Sequence, residues 1–155
     1  LNMIVIVNIL ILVLTFVFME CVAWFTHKYI MHGFLWVLHE DHHKPNKGKL
    51  FEKNDYFFLI FAVPGITFLL LGLYTDYSYY FWIGLGITMY GFAYFFIHDL
   101  FIHQRLKVLR NTKMKYFRAV RKAHKVHHKN TGKHNGECFG MLWFPNKYFK
   151  EIKKS

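Results

Sequence analysis

Eleven histidines stand among the 155 residues. Ten of them fall into four groups: His27 with His32; His39, His42 and His43; His98 with His103; and His124, His127 and His128. As spacings these read HxxxxH, HxxHH, HxxxxH and HxxHH, so one ordered pair of motifs occurs twice while the residues between show no matching repeat. Imidazole suits iron, copper, zinc and nickel alike, and ten nitrogen donors far exceed the roughly four that a tetrahedral zinc takes. The set suits two ions, each with about four or five imidazoles and with positions left open.

The spacings carry a local expectation. On an α-helix, positions i, i+3 and i+4 share a face, so each HxxHH is expected to present its three rings together as half of a coordination sphere. In HxxxxH the two rings stand about 140° apart, at about 100° per residue. They are expected to share a face only where the helix ends or kinks, and otherwise to serve different metals. His134 lies outside every motif and is expected to be a solvated side chain.

The chain that must position these rings is 54% hydrophobic and 21% aromatic, more than a soluble domain of this size needs. Its apolar residues form three blocks, Met3 to Phe25, Tyr56 to Tyr74 and Tyr79 to Ile97, each near the ~20 residues that cross a bilayer as helix. Pro64-Gly65 within the second block is tolerable in a membrane helix. The first block reads as a retained span rather than a cleaved leader, because no basic segment precedes it, the run is long and no small-residue cleavage site follows. The expected fold is an all-α integral membrane protein of about three to four transmembrane helices, with a cytoplasmic helical cap carrying the histidines. It is read as a single domain over 1–155, with spans at about 3–26, 56–75 and 79–98 and cytoplasmic segments at 27–55 and 99–155.

Charge sets the orientation. Lys28, Lys44, Lys47, Lys49 and Lys53 follow the first block, nearly all other basic residues follow Ile97, and only Thr75-Asp76-Tyr77-Ser78 joins the second and third blocks. By the positive-inside rule both basic stretches are cytoplasmic, and both sets of histidine motifs then leave the membrane on that face. The net charge of +11 is what orientation and anionic headgroups call for, so nucleic acid is not an expected partner. Cys21 and Cys138 have no motif spacing and imply no disulfide.

Several other residues stand near the motifs. Glu40, Asp41 and Asp99 adjoin histidines in sequence and could accept a hydrogen bond from the far nitrogen of a ring, the plainer alternative being a surface pair with a residue such as Lys44. Glu20 is an acid within a span, which makes it a functional candidate. Trp24, Phe25, Tyr94, Phe95 and Phe96 lie near the histidine ends of their spans, where they read first as an interfacial belt and alternatively as the lining of a slot for a long apolar substrate. The basic stretch of Arg105, Lys107, Arg110, Lys113, Lys115, Arg118, Arg121, Lys122 and Lys125 suits either an acidic electron carrier or the membrane surface.

The strings Phe25-Thr-His-Lys-Tyr-Ile-Met-His32, His39-Glu-Asp-His-His-Lys-Pro45, Ile97-His-Asp-Leu-Phe-Ile-His-Gln-Arg105 and Ala123-His-Lys-Val-His-His128 resemble those of the membrane fatty acid hydroxylase superfamily, and within it the β-carotene 3-hydroxylase branch. Gly136-Glu-Cys-Phe-Gly140 also resembles the segment after the last cluster in the bacterial members. The resemblance implies a non-haem di-iron monooxygenase of the bacterial inner membrane. It would use O2, with electrons from a ferredoxin-type donor reduced by NAD(P)H, to hydroxylate C3 of the β-ionone rings of β-carotene, giving β-cryptoxanthin and zeaxanthin. It carries the ligand role to His27, His32, His39, His42, His43, His98, His103, His124, His127 and His128. The alternatives are a hydroxylase or desaturase of a fatty acyl, sterol or sphingolipid substrate and, less well matched, a membrane metal transporter or sensor. A transporter places its ligands near the bilayer midplane, not at span ends.

Overall fold

The computed structural model describes residues 2–44, 51–106 and 109–154, without the side chains of 153 and 154. Pro45, Lys47, Lys49 and Lys107, singled out above, lie outside the described residues. Among those described, the regular elements are all helical: α1 (Met3–Phe25), α2 (Trp36–His43), α3 (Phe58–Tyr74), α4 (Tyr79–Phe95), α5 (Lys115–Lys129) and α6 (Asn146–Lys154), with a 3-10 turn at Lys53–Phe57 and π-helical turns at Thr26–Phe34 and Phe96–Ile102. Three helical runs are long and apolar enough to cross a membrane: Met3–Phe34, Lys53–Tyr74 and Tyr79–Ile102. The chain is an all-α integral membrane protein, and α3 runs through Pro64 as expected.

The chain divides into two compact units, Leu1–Cys21 with Asp55–Ala93, and Val22–Asn54 with Tyr94–Ser155. The first is the apolar one. Side chains along α1 such as Ile4, Leu10, Leu14 and Phe18 are exposed, and so are Ile66 and Leu70 of α3, which is the surface a lipid-embedded bundle presents. With little hydrophobic force between helices in lipid, close approach must come from small residues. A Cβ at Gly72 would lie 2.2 Å from the backbone nitrogen of Phe81, and one at Gly84 would lie 2.5 Å from that of Leu69. These two positions let α3 and α4 touch backbone to backbone. The one acid in α1, Glu20, is buried and accepts a 2.7 Å hydrogen bond from the Tyr90 hydroxyl. Tyr90 is itself buried and packs edge-on against Phe16.

The second unit holds the polar chemistry. Its apolar core is small: Ile97, Phe101, Ile102, Val120 and Met141, flanked by Tyr94, Phe117, Leu142 and Phe144. Arg121 lies over the Phe101 ring at 4.0 Å and donates to the carbonyls of Phe101, Leu109 and Arg110. It therefore pins the segment after the second π turn to α5 and does not belong to a free basic surface. Helix α5 packs on α6, and Lys122 pairs with Glu151 across them.

Candidate metal centre

The first HxxxxH lies in a π-helical turn whose backbone breaks at Gly33, one residue past His32, and the second in a π-helical turn that ends at Ile102 with His103 as its C-cap. In each, the backbone widens to i→i+5 bonding, as in the 2.9 Å bond from the His103 N–H to the His98 carbonyl and the 3.0 Å bond from Leu35 to Ile30. A π turn returns residue i+5 above residue i, so His27 and His32 come to 5.2 Å between ring centroids, and His98 and His103 to 4.5 Å. The two rings of each HxxxxH thus stand together, the case expected where the helix ends or kinks, and the alternative that they serve different metals is not the arrangement seen.

The HxxHH motifs are corrected in the opposite sense. The nitrogens of His27, His32, His39, His43 and His127 lie within 4.8 Å of one another, and those of His42, His98, His103 and His124 form a second such group. His128 joins the second group, its Nε2 lying 2.8 Å from that of His124. Each HxxHH is thus split: His39 and His43 face one centre and His42 the other, while His127 faces the first and His124 the second. In both helices the rings at i and i+4 fall in one group and the ring at i+3, displaced around the circumference, falls in the other, so each helix runs across the line joining the groups and not along it.

Hydrogen bonding fixes the tautomer of each ring in the first group. The Nδ1–H of His27 donates to the Phe139 carbonyl at 2.9 Å, that of His32 to Lys133 at 3.0 Å, that of His43 to Asn130 at 2.9 Å and that of His127 to Glu137 at 2.8 Å. His39 donates to the side-chain oxygen of Asn54 at 2.6 Å. A carbonyl only accepts, so each Nδ1 carries the proton and each Nε2 presents a lone pair. Yet His32 Nε2 and His127 Nε2 are 3.3 Å apart, and His27 Nε2 and His39 Nε2 3.1 Å. Two lone pairs at that distance repel unless a cation lies between them, and the buried Nε2 of His43 has no hydrogen-bond partner among the described residues. A metal ion fits this donor set.

Protonation is not a substitute for the ion. Burial, with the neighbouring imidazoles adding to it, holds His43 down at about 4 and His127 at about 3, against the opposing pull of their hydrogen bonds to carbonyls. Burial lowers His39 to about 2 despite Asn54. His42, His103, His124 and His128 are lowered in the same way, with neighbouring rings again second to burial.

The outer residues differ from the sequence reading. Asp99 does face a ring, His98, at 3.4 Å. Glu40 instead pairs with Lys44 at 2.7 Å on the surface, and Asp41 accepts the backbone N–H of Lys53 at 2.7 Å. The short contact to His42 Nδ1 comes from Glu52, at 2.7 Å. Arg105, first read as part of the basic stretch, reaches Asp99 at 3.1 Å and Glu52 at 3.6 Å. Glu52 and Asn54 carried no sequence signal, since they are separated from their histidines by 10 and 15 positions. Aromatic rings close the site: Tyr94 lies 4.9 Å from His98, Trp36 5.1 Å from His32 and Phe139 5.2 Å from His127. His134 is exposed.

Residues 12–149 match the fatty acid hydroxylase family. The chain is 40% identical to the β-carotene hydroxylase of Pseudescherichia vulneris over 137 residues, 88% of this chain and 77% of that one. It is 41% identical to that of Pantoea ananas over 138 residues, 89% and 78% of the two chains. With that of Paracoccus sp. (strain PC1) the identity is 37% over 149 residues, 94% and 91%. No solved structure matches. With the family matched across most of the chain and relatives of this similarity covering nearly all of it, the chain belongs to the fatty acid hydroxylase family.

Proposed function

We propose that this protein hydroxylates C3 of the β-ionone rings of β-carotene, giving β-cryptoxanthin and then zeaxanthin, with one iron on each histidine group. The observation that carries the reading is the pair of buried imidazole groups with opposed lone pairs, in a chain about 40% identical to β-carotene hydroxylases across most of its length. His27, His32, His39, His43 and His127 would hold one ion, and His42, His98, His103, His124 and His128 the other.

Iron held there would supply the oxidant that no side chain can, for the overall reaction in which R–H, O2, two electrons and two protons become R–OH and water. The protein's own part is positioning. Carbonyls of the segment from Asn130 to Phe139, with Asn54 and Glu52, lock the ring orientations and tautomers. The aromatic rings of Trp36, Tyr94 and Phe139 bound the site with apolar surface, as a hydrocarbon ring requires. The substrate enters from the lipid, and electrons come from a ferredoxin-type donor reduced by NAD(P)H, for which exposed Arg110, Lys113, Lys115, Arg118 and Lys125 offer a basic landing surface. The basic segments support a site on the cytoplasmic face of the bacterial inner membrane.

The test is pigment chromatography of a β-carotene-accumulating bacterium expressing the parent chain, His42→Ala or His127→Ala. Zeaxanthin from the parent alone is expected. Unchanged β-carotene with folded, iron-loaded parent protein would move the assignment to an acyl-lipid hydroxylase.

A further inference from the structure

The two histidine groups are close to mirror images in ligand type but not in what stands behind the ligands. All five rings of the His27 group donate from Nδ1 to neutral oxygens: the carbonyls of Phe139, Lys133, Asn130 and Glu137 and the Asn54 amide. In the other group His42 donates to a carboxylate, Glu52, at 2.7 Å, and His98 faces a second carboxylate, Asp99, at the longer distance of 3.4 Å. Arg105 links both acids, so two negative charges and one positive charge stand behind that group, while the Nδ1 acceptors of the first are, among the described residues, all neutral.

A carboxylate on the far nitrogen gives an imidazole part of the character of its anion and makes it a stronger donor. It also places charge within a few ångströms of the ion in a buried region, where screening is weak. From this we infer that the two metal positions are inequivalent, the position of His42, His98, His103 and His124 binding its ion more tightly and filling first because Glu52 and Asp99 back it. Glu52 is then a positioning residue, acting on the metal position through His42. Arg105 holds the two acids in place and prevents their mutual repulsion from turning either away from its ring.

The inference rests on the reading that each group holds a metal. Its test therefore counts ions as well as ranking them. The metal-free full-length protein in detergent is titrated with Co(II), followed by its visible absorption, beside Glu52→Gln and Asn54→Asp. Glutamine keeps the acceptor oxygen and the size of Glu52 while removing the charge, so a merely structural role survives the change. Asn54→Asp does the converse, putting a carboxylate behind His39 in the neutral group.

The parent is expected to take up two equivalents in resolved steps. Glu52→Gln is expected to weaken the first step by 10–100-fold, the usual effect of losing such a partner, and leave the second in place. Asn54→Asp is expected to strengthen the second step and leave the first. The 57Fe-loaded proteins give a spectroscopic check, since only one of two Mössbauer doublets should move in each variant. Two equal and unresolved steps in the parent, or a Glu52→Gln effect shared equally by both steps, would overturn the inference while sparing the two-metal reading. Fewer than two equivalents in the parent would overturn both. If Glu52→Gln does not fold, Asn54→Asp decides alone: no strengthening of the second step rejects the inference.

Discussion

His32 Nε2 and His127 Nε2 face each other across 3.3 Å, although 95 positions separate them in the chain and each has given its proton-bearing nitrogen to a backbone carbonyl. This arrangement is stable with a cation between the rings and repulsive without one. Metal loading should therefore raise the thermal unfolding temperature in detergent. A site kept at 100 times its Kd contributes about 2.7 kcal/mol. Thermal unfolding with and without Fe(II) or Co(II) checks it; identical melting curves would mean that the tautomers are not those the carbonyls dictate.

Loading should also release almost no protons near neutral pH. An ordinary imidazole is half protonated near pH 6.5, so seven of them would release about 3.5 protons. His39, His42, His43, His103, His124, His127 and His128 are all lowered by burial, and they are already neutral there. Calorimetric titration with Co(II) at that pH, in two buffers of different ionisation enthalpy, counts the protons; a release above about two would contradict the burial.

The same shifts give the metal-free protein an acid-labile fold. Because the folded rings bind protons less well than the unfolded chain does, stability is complete above about pH 6.5. It is lost as the pH falls through that value toward about 4 for His43 and about 3 for His127. Unfolding midpoints at pH 7.5 and 5.5, values chosen at roughly one unit on either side of the ordinary imidazole pKa, should differ in that direction. A higher midpoint at the acid pH would reverse the sign and refute it.

Two glycines of one helix should respond oppositely to the same methyl group. At Gly84 the added carbon would meet the Leu69 backbone at 2.5 Å, whereas at Gly91 nothing lies within 4 Å. Gly84→Ala is expected to cost about 1–3 kcal/mol by overpacking, and Gly91→Ala to be neutral or to gain up to about 1 kcal/mol from helix propensity. Melting temperatures of the two variants settle the comparison, and equal shifts would count against the close helix contact.

Tyr90→Phe removes the hydrogen bond to buried Glu20 and should cost about 1–3 kcal/mol. Both residues lie in the apolar unit, so bound iron per chain should stay at the parent value. Elemental analysis beside a melting curve separates the two effects; lost iron at unchanged stability would place Glu20 in the metal chemistry instead.

Much of this was legible in the sequence, for identifiable reasons. Blocks of about twenty apolar residues in α1, α3 and α4 leave few alternatives to spanning helices, and ordered histidine motifs leave few to a metal-rich site. Spacing failed where it assumed an ideal α-helix: the π turns at Thr26–Phe34 and Phe96–Ile102 pair His27 with His32 and His98 with His103, because a fifth-residue bond changes which side chains stack. Nor could spacing show that α2 and α5 each send their i and i+4 rings to one group and their i+3 ring to the other. Glu52, Asn54 and Arg105 were invisible for another reason, since their roles come from chain segments meeting in space and not from a motif. The acids that did adjoin motifs were uneven guides: Asp99 meets His98, while Glu40 and Asp41 turn to Lys44 and to the Lys53 backbone.

Four of the five oxygens behind the His27 group belong to the peptide backbone of one short segment, at Asn130, Lys133, Glu137 and Phe139. Side-chain substitution cannot delete a carbonyl. A saturating mutational scan would therefore register the surroundings of the His42 group as point lesions at Glu52, Asp99 and Arg105, and would pass over most of those of the His27 group. That half of the centre becomes genetically visible only through changes that redirect the main chain, such as a proline, a one-residue deletion, or a β-branched residue at Cys138, whose φ of 62° turns the backbone between the Glu137 and Phe139 carbonyls.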